Sequence, residues 1–136
     1  MNPKQFLTLG GIVLVLVAIL GFVGVIGPTP EKSIFGPSWW FDNPENWAHL
    51  VLGVVAFIAA FAIPMNLQKS LVALVGVLGV VVGLYSLSIG ESFLGANLEN
   101  PADTLLHLAV GAWALLAAWK KGGMGGGMMK PSGGGM

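Results

Sequence analysis

The sequence predicts an all-α fold, a four-helix transmembrane bundle built from two parallel-related helical hairpins, on three observations. First, the chain of 136 residues is 55% hydrophobic and only 9% charged, far too apolar for a soluble domain of ordinary composition. Second, its apolar residues fall into four runs, Phe6 to Ile26, Trp47 to Ile63, Leu71 to Ile89 and Leu105 to Trp119. With its capping residues each run is about 20 residues long, enough at roughly 1.5 Å per residue to cross a hydrocarbon core of about 30 Å. Third, the charges segregate. Lys4, Lys69, Lys120, Lys121 and Lys130 lie on one side of the four runs, whereas Glu31, Asp42, Glu45, Glu91, Glu99 and Asp103 lie on the other.

The first span, about residues 6–26, follows Lys4 as a signal peptide would. It is longer than a usual h-region and lacks an Ala-x-Ala-like cleavage site, so it is expected to be retained. The connection from Gly27 to Asn43 carries Pro28, Pro30 and Pro37 with Trp39, Trp40 and Phe41, which predicts an extended loop anchored by aromatics at the headgroup level. The second span, about 44–63, should start at Asn43 as N-cap with Pro44 in the first turn, where a missing N–H costs nothing. Pro64-Met65-Asn66 is short enough to force an antiparallel hairpin with the third span, about 69–89. The acidic connection Gly90 to Asn100 then leads to the fourth span, about 101–119, with Asn100 and Pro101 repeating the Asn-Pro start. This span is the shortest and is expected to stand upright or to thin the bilayer locally.

Residues 1–121 thus form the membrane domain. Residues 122–136 are Gly/Met-rich and are expected to be disordered, because they cannot bury enough surface to offset backbone entropy. Met124, Met128, Met129 and Met136 offer thioethers suited to copper(I).

Lysines close to span ends are retained on the cytoplasmic side. Both termini and the Asn66 to Lys69 turn are therefore expected to be cytoplasmic in a multi-pass protein of the cell inner membrane, with Lys32 as the exception. The lipid bilayer is the expected partner. The absence of cysteine excludes disulfides and thiol chemistry, and the zero formal net charge gives no indication of nucleic acid. No phosphate loop, GxSxG elbow or HExxH pair occurs, so no enzymatic activity is expected.

An internal repeat marks the second and fourth spans. Asn43-Pro44 leads to His49-Leu50-x-x-Gly53, and Asn100-Pro101 leads to His107-Leu108-x-x-Gly111. Glu45, His49, Gly53, Ala56 and Ala60 fall on one helical face, as do Asp103, His107, Gly111, Ala114 and Ala118. Because two spans separate the copies, both histidines should lie near the outer face, about a pseudo-two-fold axis along the membrane normal.

Small-residue stripes let transmembrane helices approach closely, and the simplest expectation is that the stripes of spans two and four face each other in a structural or protein-interaction role. Gly79-x-x-x-Gly83 on span three offers a further small-residue face for a second copy or another membrane protein. Alternatively, Glu45, His49, Asp103 and His107 could together hold a divalent metal such as zinc, iron or manganese. The acids could equally fix the histidine tautomers. His49 and His107 could instead ligate a non-covalent haem b, with Gly53 and Gly111 leaving room for the macrocycle. A carboxylate–histidine pair facing outwards could also sense external pH.

Asn46-x-x-His49-Leu50-x-x-Gly53 followed by Asn100-x-x-Asp103-x-x-Leu106-His107-Leu108 resembles the paired signature of a bacterial family of small four-span membrane proteins of unknown function. The resemblance covers Phe6 to Trp119 in topology, excludes the tail after Lys121, and is specific at the two histidine segments. It implies a four-helix domain in the cytoplasmic membrane with Asn46, His49, Asp103 and His107 as pattern positions. It carries no activity.

Overall fold

The structure, a computed structural model, describes residues 1–119. The tail with its methionines, and Lys120, Lys121 and Lys130, lie outside the described residues. Four long helices, α1 (Pro3–Phe22), α2 (Asn43–Ala62), α3 (Met65–Ser88) and α4 (Ala102–Trp119), follow one another in the order expected. All four are long and apolar enough to cross a membrane. Between α1 and α2 lie two short 3-10 turns, Pro30–Lys32 and Gly36–Ser38. A two-stranded antiparallel hairpin, β1 (Ser92–Phe93) and β2 (Ala96–Asn97), lies between α3 and α4.

Local chemistry sets boundaries that hydropathy alone does not. Helix α1 starts earlier than predicted because Asn2 and Gln5 form a capping box, each side chain bonding the other's backbone N–H, with Pro3 in the first turn. It ends at Phe22 although Val23, Val25 and Ile26 continue the apolar run, since Gly24 turns the backbone to a φ of 89°. Ile26 is instead buried as a bridge partner of Ser33.

The turn between α2 and α3 is also tighter than predicted. Asn66 to Lys69 belong to the first turns of α3, and Gln68 folds back so that its Nε2 donates to the carbonyls of Ala59 (3.3 Å), Ala60 (2.9 Å) and Ile63 (3.2 Å). A buried amide thereby reaches the Ala60 and Ile63 carbonyls at the end of α2, and shares the Ala59 carbonyl with the Ile63 N–H.

The small-residue stripes of α2 and α4 do not face each other. Gly53 packs on α1, where an added Cβ would lie 2.9 Å from the Gly11 carbonyl oxygen and from the backbone N of Val15. Gly111 packs on α3 in the same way, 2.9 Å from the Gly76 oxygen and 2.7 Å from the Val80 N. The glycine of each stripe is used inside its own hairpin, while Ala60, Ala114 and Ala118 of the stripes pack in the core that the hairpins share. The Gly79-x-x-x-Gly83 face is likewise taken, covered by Gly111 and Leu108 of α4, so it is not available to a second copy.

The two hairpins join at both ends by different chemistry. At the lysine end Phe6 and Leu7 of α1, Ala59 and Ala60 of α2, Val72 of α3 and Ala114, Ala117 and Ala118 of α4 form the apolar core. Phe6 meets Trp113 edge-on at 5.3 Å, and the Lys4 ammonium lies 5.1 Å from the centre of the Phe61 ring. At the opposite end the two long connections close over the bundle.

Gly53→Leu or Gly111→Leu is expected to force the paired helices apart and to destabilise the bundle by roughly 1–3 kcal/mol, the usual cost of overpacking. Thermal unfolding in detergent should show a lowered midpoint. Gly90→Ala, at a position with open space around it, should leave the midpoint unchanged.

Candidate functional site: an acidic cap over two histidines

Helix α2 begins one residue earlier than its Asn-Pro pair suggested. Asp42, not Asn43, is the N-cap. Its Oδ1 accepts from the Glu45 N–H (3.0 Å), while Glu45 Oε2 accepts from the Asp42 N–H (3.1 Å). This capping box was legible as Asp42-Asn43-Pro44-Glu45. Measured back from the histidines, Asp42 and Asn100 are the equivalent residues, and the two prolines are one position out of register.

Asn100 does not act as an ordinary N-cap. Its Nδ2 donates to the Ser86 carbonyl (2.8 Å) and its Oδ1 accepts from Thr104 Oγ1. Thr104 in turn bonds Ser86 Oγ at 2.8 Å, so this polar set ties the end of α3 to the start of α4. The equivalent place in the first hairpin holds Asn46 pressed against Gly21 of α1. Asn46 is fully buried, with Nδ2 donating to the Phe41 carbonyl at 3.4 Å.

Carboxylates fasten the two connections to each other. The Trp39 indole N–H donates to Asp103 Oδ1 (2.9 Å), the Trp40 amide to Glu99 Oε1 (3.1 Å) and the Asn97 amide to Asp42 Oδ2 (2.8 Å). Asp103 Oδ2 accepts from the Glu99 N–H (2.9 Å), and Glu99 Oε2 from Asn97 Nδ2. Glu45, Glu99 and Asp103 are 3%, 7% and 2% exposed. Trp39 and Phe41 of the first connection are therefore turned into the cap, while Phe35 stays exposed. Trp39 turns inward because a buried indole N–H needs an acceptor, and Phe41 is buried with its ring edge-on to Trp39. Of the acceptors, Glu99 comes from the second connection, Asp103 from the first turn of α4 and Asp42 from the N-cap of α2.

The structure draws together all four site residues singled out from the sequence. Trp39, bonded to Asp103, meets Phe41 edge-on, and Phe41 stacks on His49, so the start of α2 with Glu45 and His49 and the start of α4 with Asp103 and His107 share one end of the bundle. The four side chains do not converge on a common point. Among the described residues no three His, Asp or Glu side chains are arranged to hold a metal ion, so the four-ligand shell expected of Glu45, His49, Asp103 and His107 is not assembled. Both Asp103 oxygens accept N–H groups and Glu45 Oε2 closes the capping box, whereas Glu45 Oε1 and His49 Nδ1 make no hydrogen bond of good geometry with a described residue.

Of the two imidazoles, His107 Nδ1 lies 2.8 Å from the Asp103 carbonyl oxygen, and as a donor there it would leave Nε2 the unprotonated nitrogen. His49 is stacked on Phe41 at 5.1 Å and 29°. Its Nδ1, one turn from the Glu45 carbonyl, makes no hydrogen bond of good geometry with a described residue, and neither does Glu45 Oε1 or Asn46 Oδ1.

Glu99 lies outside the spanning helices. Burial, opposed by the Trp40 N–H and reinforced by the Asp103 charge, lifts its carboxyl from an ordinary 4.5 to about 7. A raised pKa means that ionising Glu99 is harder in the folded cap than in the open chain. Its contribution to stability is fully present below the ordinary value and is lost as pH rises through about 7. The thermal midpoint in detergent is accordingly expected to fall on going from mildly acidic to mildly alkaline buffer, and Glu99→Gln, which mimics the neutral form, should flatten that dependence.

Asp103→Ala should cost roughly 1–3 kcal/mol for each buried N–H left without an acceptor. Trp39→Phe should cost less. In a double-mutant cycle on thermal stability the two losses should fall short of adding, with a coupling of about 0.5–1.5 kcal/mol for the lost bond. Additive losses would mean that the indole and the carboxylate do not act as a pair.

No family model matches the chain, and no curated protein or solved structure matches it either.

Proposed function

We propose that this chain is a non-enzymatic integral membrane protein with a structural or protein-interaction role, whose acidic cap latches two helical hairpins together. The observation that carries this reading is the Asp103 carboxylate. One oxygen holds Trp39 of the first connection and the other holds the Glu99 backbone of the second. Asp103, which could otherwise serve a ligand, is instead engaged in joining the two halves. The histidines stand directly beneath this joint, one covered by Phe41 and the other anchored to its own helix.

The placement of Lys4 and Lys69 at the end opposite the cap supports an orientation with both termini cytoplasmic and the cap on the outer face of the cell inner membrane. A homo-oligomer or another membrane protein would have to engage the lipid-facing surfaces, since the glycine faces are already occupied within the hairpins.

Absorption spectra and elemental analysis of detergent-purified protein, set against an identically prepared His49→Gln/His107→Gln variant, test this reading. The expected outcome is that neither a Soret band nor a stoichiometric metal distinguishes the two preparations, while the variant unfolds at lower temperature. A Soret band or near-stoichiometric metal present in the parent and lost in the variant would overturn the structural role in favour of a cofactor site.

A further inference from the structure

We propose that the apolar rims of both cap connections, Ile34 and Phe35 on the first and Leu94 on the second, are seated in phospholipid at the boundary between headgroups and acyl chains. The acidic cap is then a membrane-embedded element and not a domain standing in water. The connections expose Glu31, Lys32 and Glu91 and yet hide much of their polar chemistry. Their indole, amide and carboxylate groups turn inward onto one another, while Leu94 is 90%, Ile34 73% and Phe35 50% exposed.

Leu94 makes the case most sharply. The turn Leu94-Gly95 joins β1 to β2 with both central residues at positive φ, 52° and 87°. That geometry suits Asn or Gly at the first position, and leucine adopts it at a cost. An exposed leucine in an unfavourable conformation gains nothing from water and gains by burial in lipid.

Position fixes the occupant. Phe93 packs edge-on against Tyr85 of α3 at 4.9 Å, which folds the β-hairpin back alongside the last turn of α3. There Leu87 and Ile89 are already exposed on the lipid-facing surface of that helix, so the Leu94 rim continues an interface the spanning helix establishes. On the other connection the Ile34 amide donates to the Val25 carbonyl at 2.9 Å, holding Ile34 beside the chain as it leaves α1. Both rims therefore sit level with helix ends, where the bilayer boundary lies.

The absence of native cysteine makes the test direct. Single variants Ile34→Cys, Leu94→Cys, Leu78→Cys and Glu31→Cys would carry a nitroxide in vesicles of phosphatidylcholine and phosphatidylglycerol. Oxygen and a water-soluble nickel chelate would serve as competing relaxants. Labels at 34 and 94 are expected to be relaxed by oxygen in preference to the chelate, approaching the mid-span control at 78 and departing from the charged-surface control at 31. Chelate accessibility at 34 and 94 equal to that at 31 would overturn the proposal, as would spin–spin broadening that vanishes on dilution with unlabelled protein, which would assign the rims to a second copy. Should the strained turn make Leu94→Cys unstable, position 34 alone decides.

Discussion

The Asp103 carboxylate is the interaction on which the cap depends, and it reflects a general constraint at the end of a membrane bundle. Loop N–H groups buried inside the cap are out of reach of water and headgroups, and burying one without a partner costs several kcal/mol (roughly 2–7 kcal/mol). A carboxylate supplies two acceptor oxygens that can serve different segments. Asp103 bonds Trp39 and Glu99, Asp42 bonds Glu45 and Asn97, and Glu99 bonds Trp40 and Asn97. Lysine, with donors only, could do none of this. The concentration of acids at one end, which a topology rule treats as incidental, is thus a supply of acceptors for irregular backbone.

The two hairpins are each self-sufficient in packing and dependent on each other at their ends. Inside a hairpin, glycine allows backbone to meet backbone, and dispersion between closely set helices stands in for the hydrophobic drive that lipid removes. Between hairpins, alanines with Phe6, Leu7 and Val72 form the apolar join at the lysine end, and charge-assisted hydrogen bonds form the join at the acidic end. The second join responds to protonation, since the same burial that strengthens its bonds raises the cost of ionising Glu99.

The histidines take their character from this arrangement. They lie one turn inside the capping acids, His107 bonded to the carbonyl of Asp103 on its own helix and His49 stacked on Phe41. Imidazole suits such a boundary because one nitrogen can bond a carbonyl one turn back while the apolar ring face packs under an aromatic.

The sequence by itself determined the four spans, the antiparallel hairpins, the segregation of lysine from acid and the kinship of the two histidine helices, because each is written in local composition or in helical spacing. More was legible than was read. Lys4, Gly11 and Val15 recur at the same spacings as Lys69, Gly76 and Val80, and the glycine and valine of each set are the residues on which Gly53 and Gly111 rest, so the repeat extends through the first helix of each hairpin. Only the tertiary structure decided which face met which. A stripe of small residues states that something packs closely and not what: Gly53 met Gly11 of α1 although the shortest connection, Ile63-Pro64, joins α2 to α3. Nor could spacing reveal that Trp39 would find Asp103, since that bond joins residues distant in sequence and exists only once both hairpins have brought their connections to the same end of the bundle.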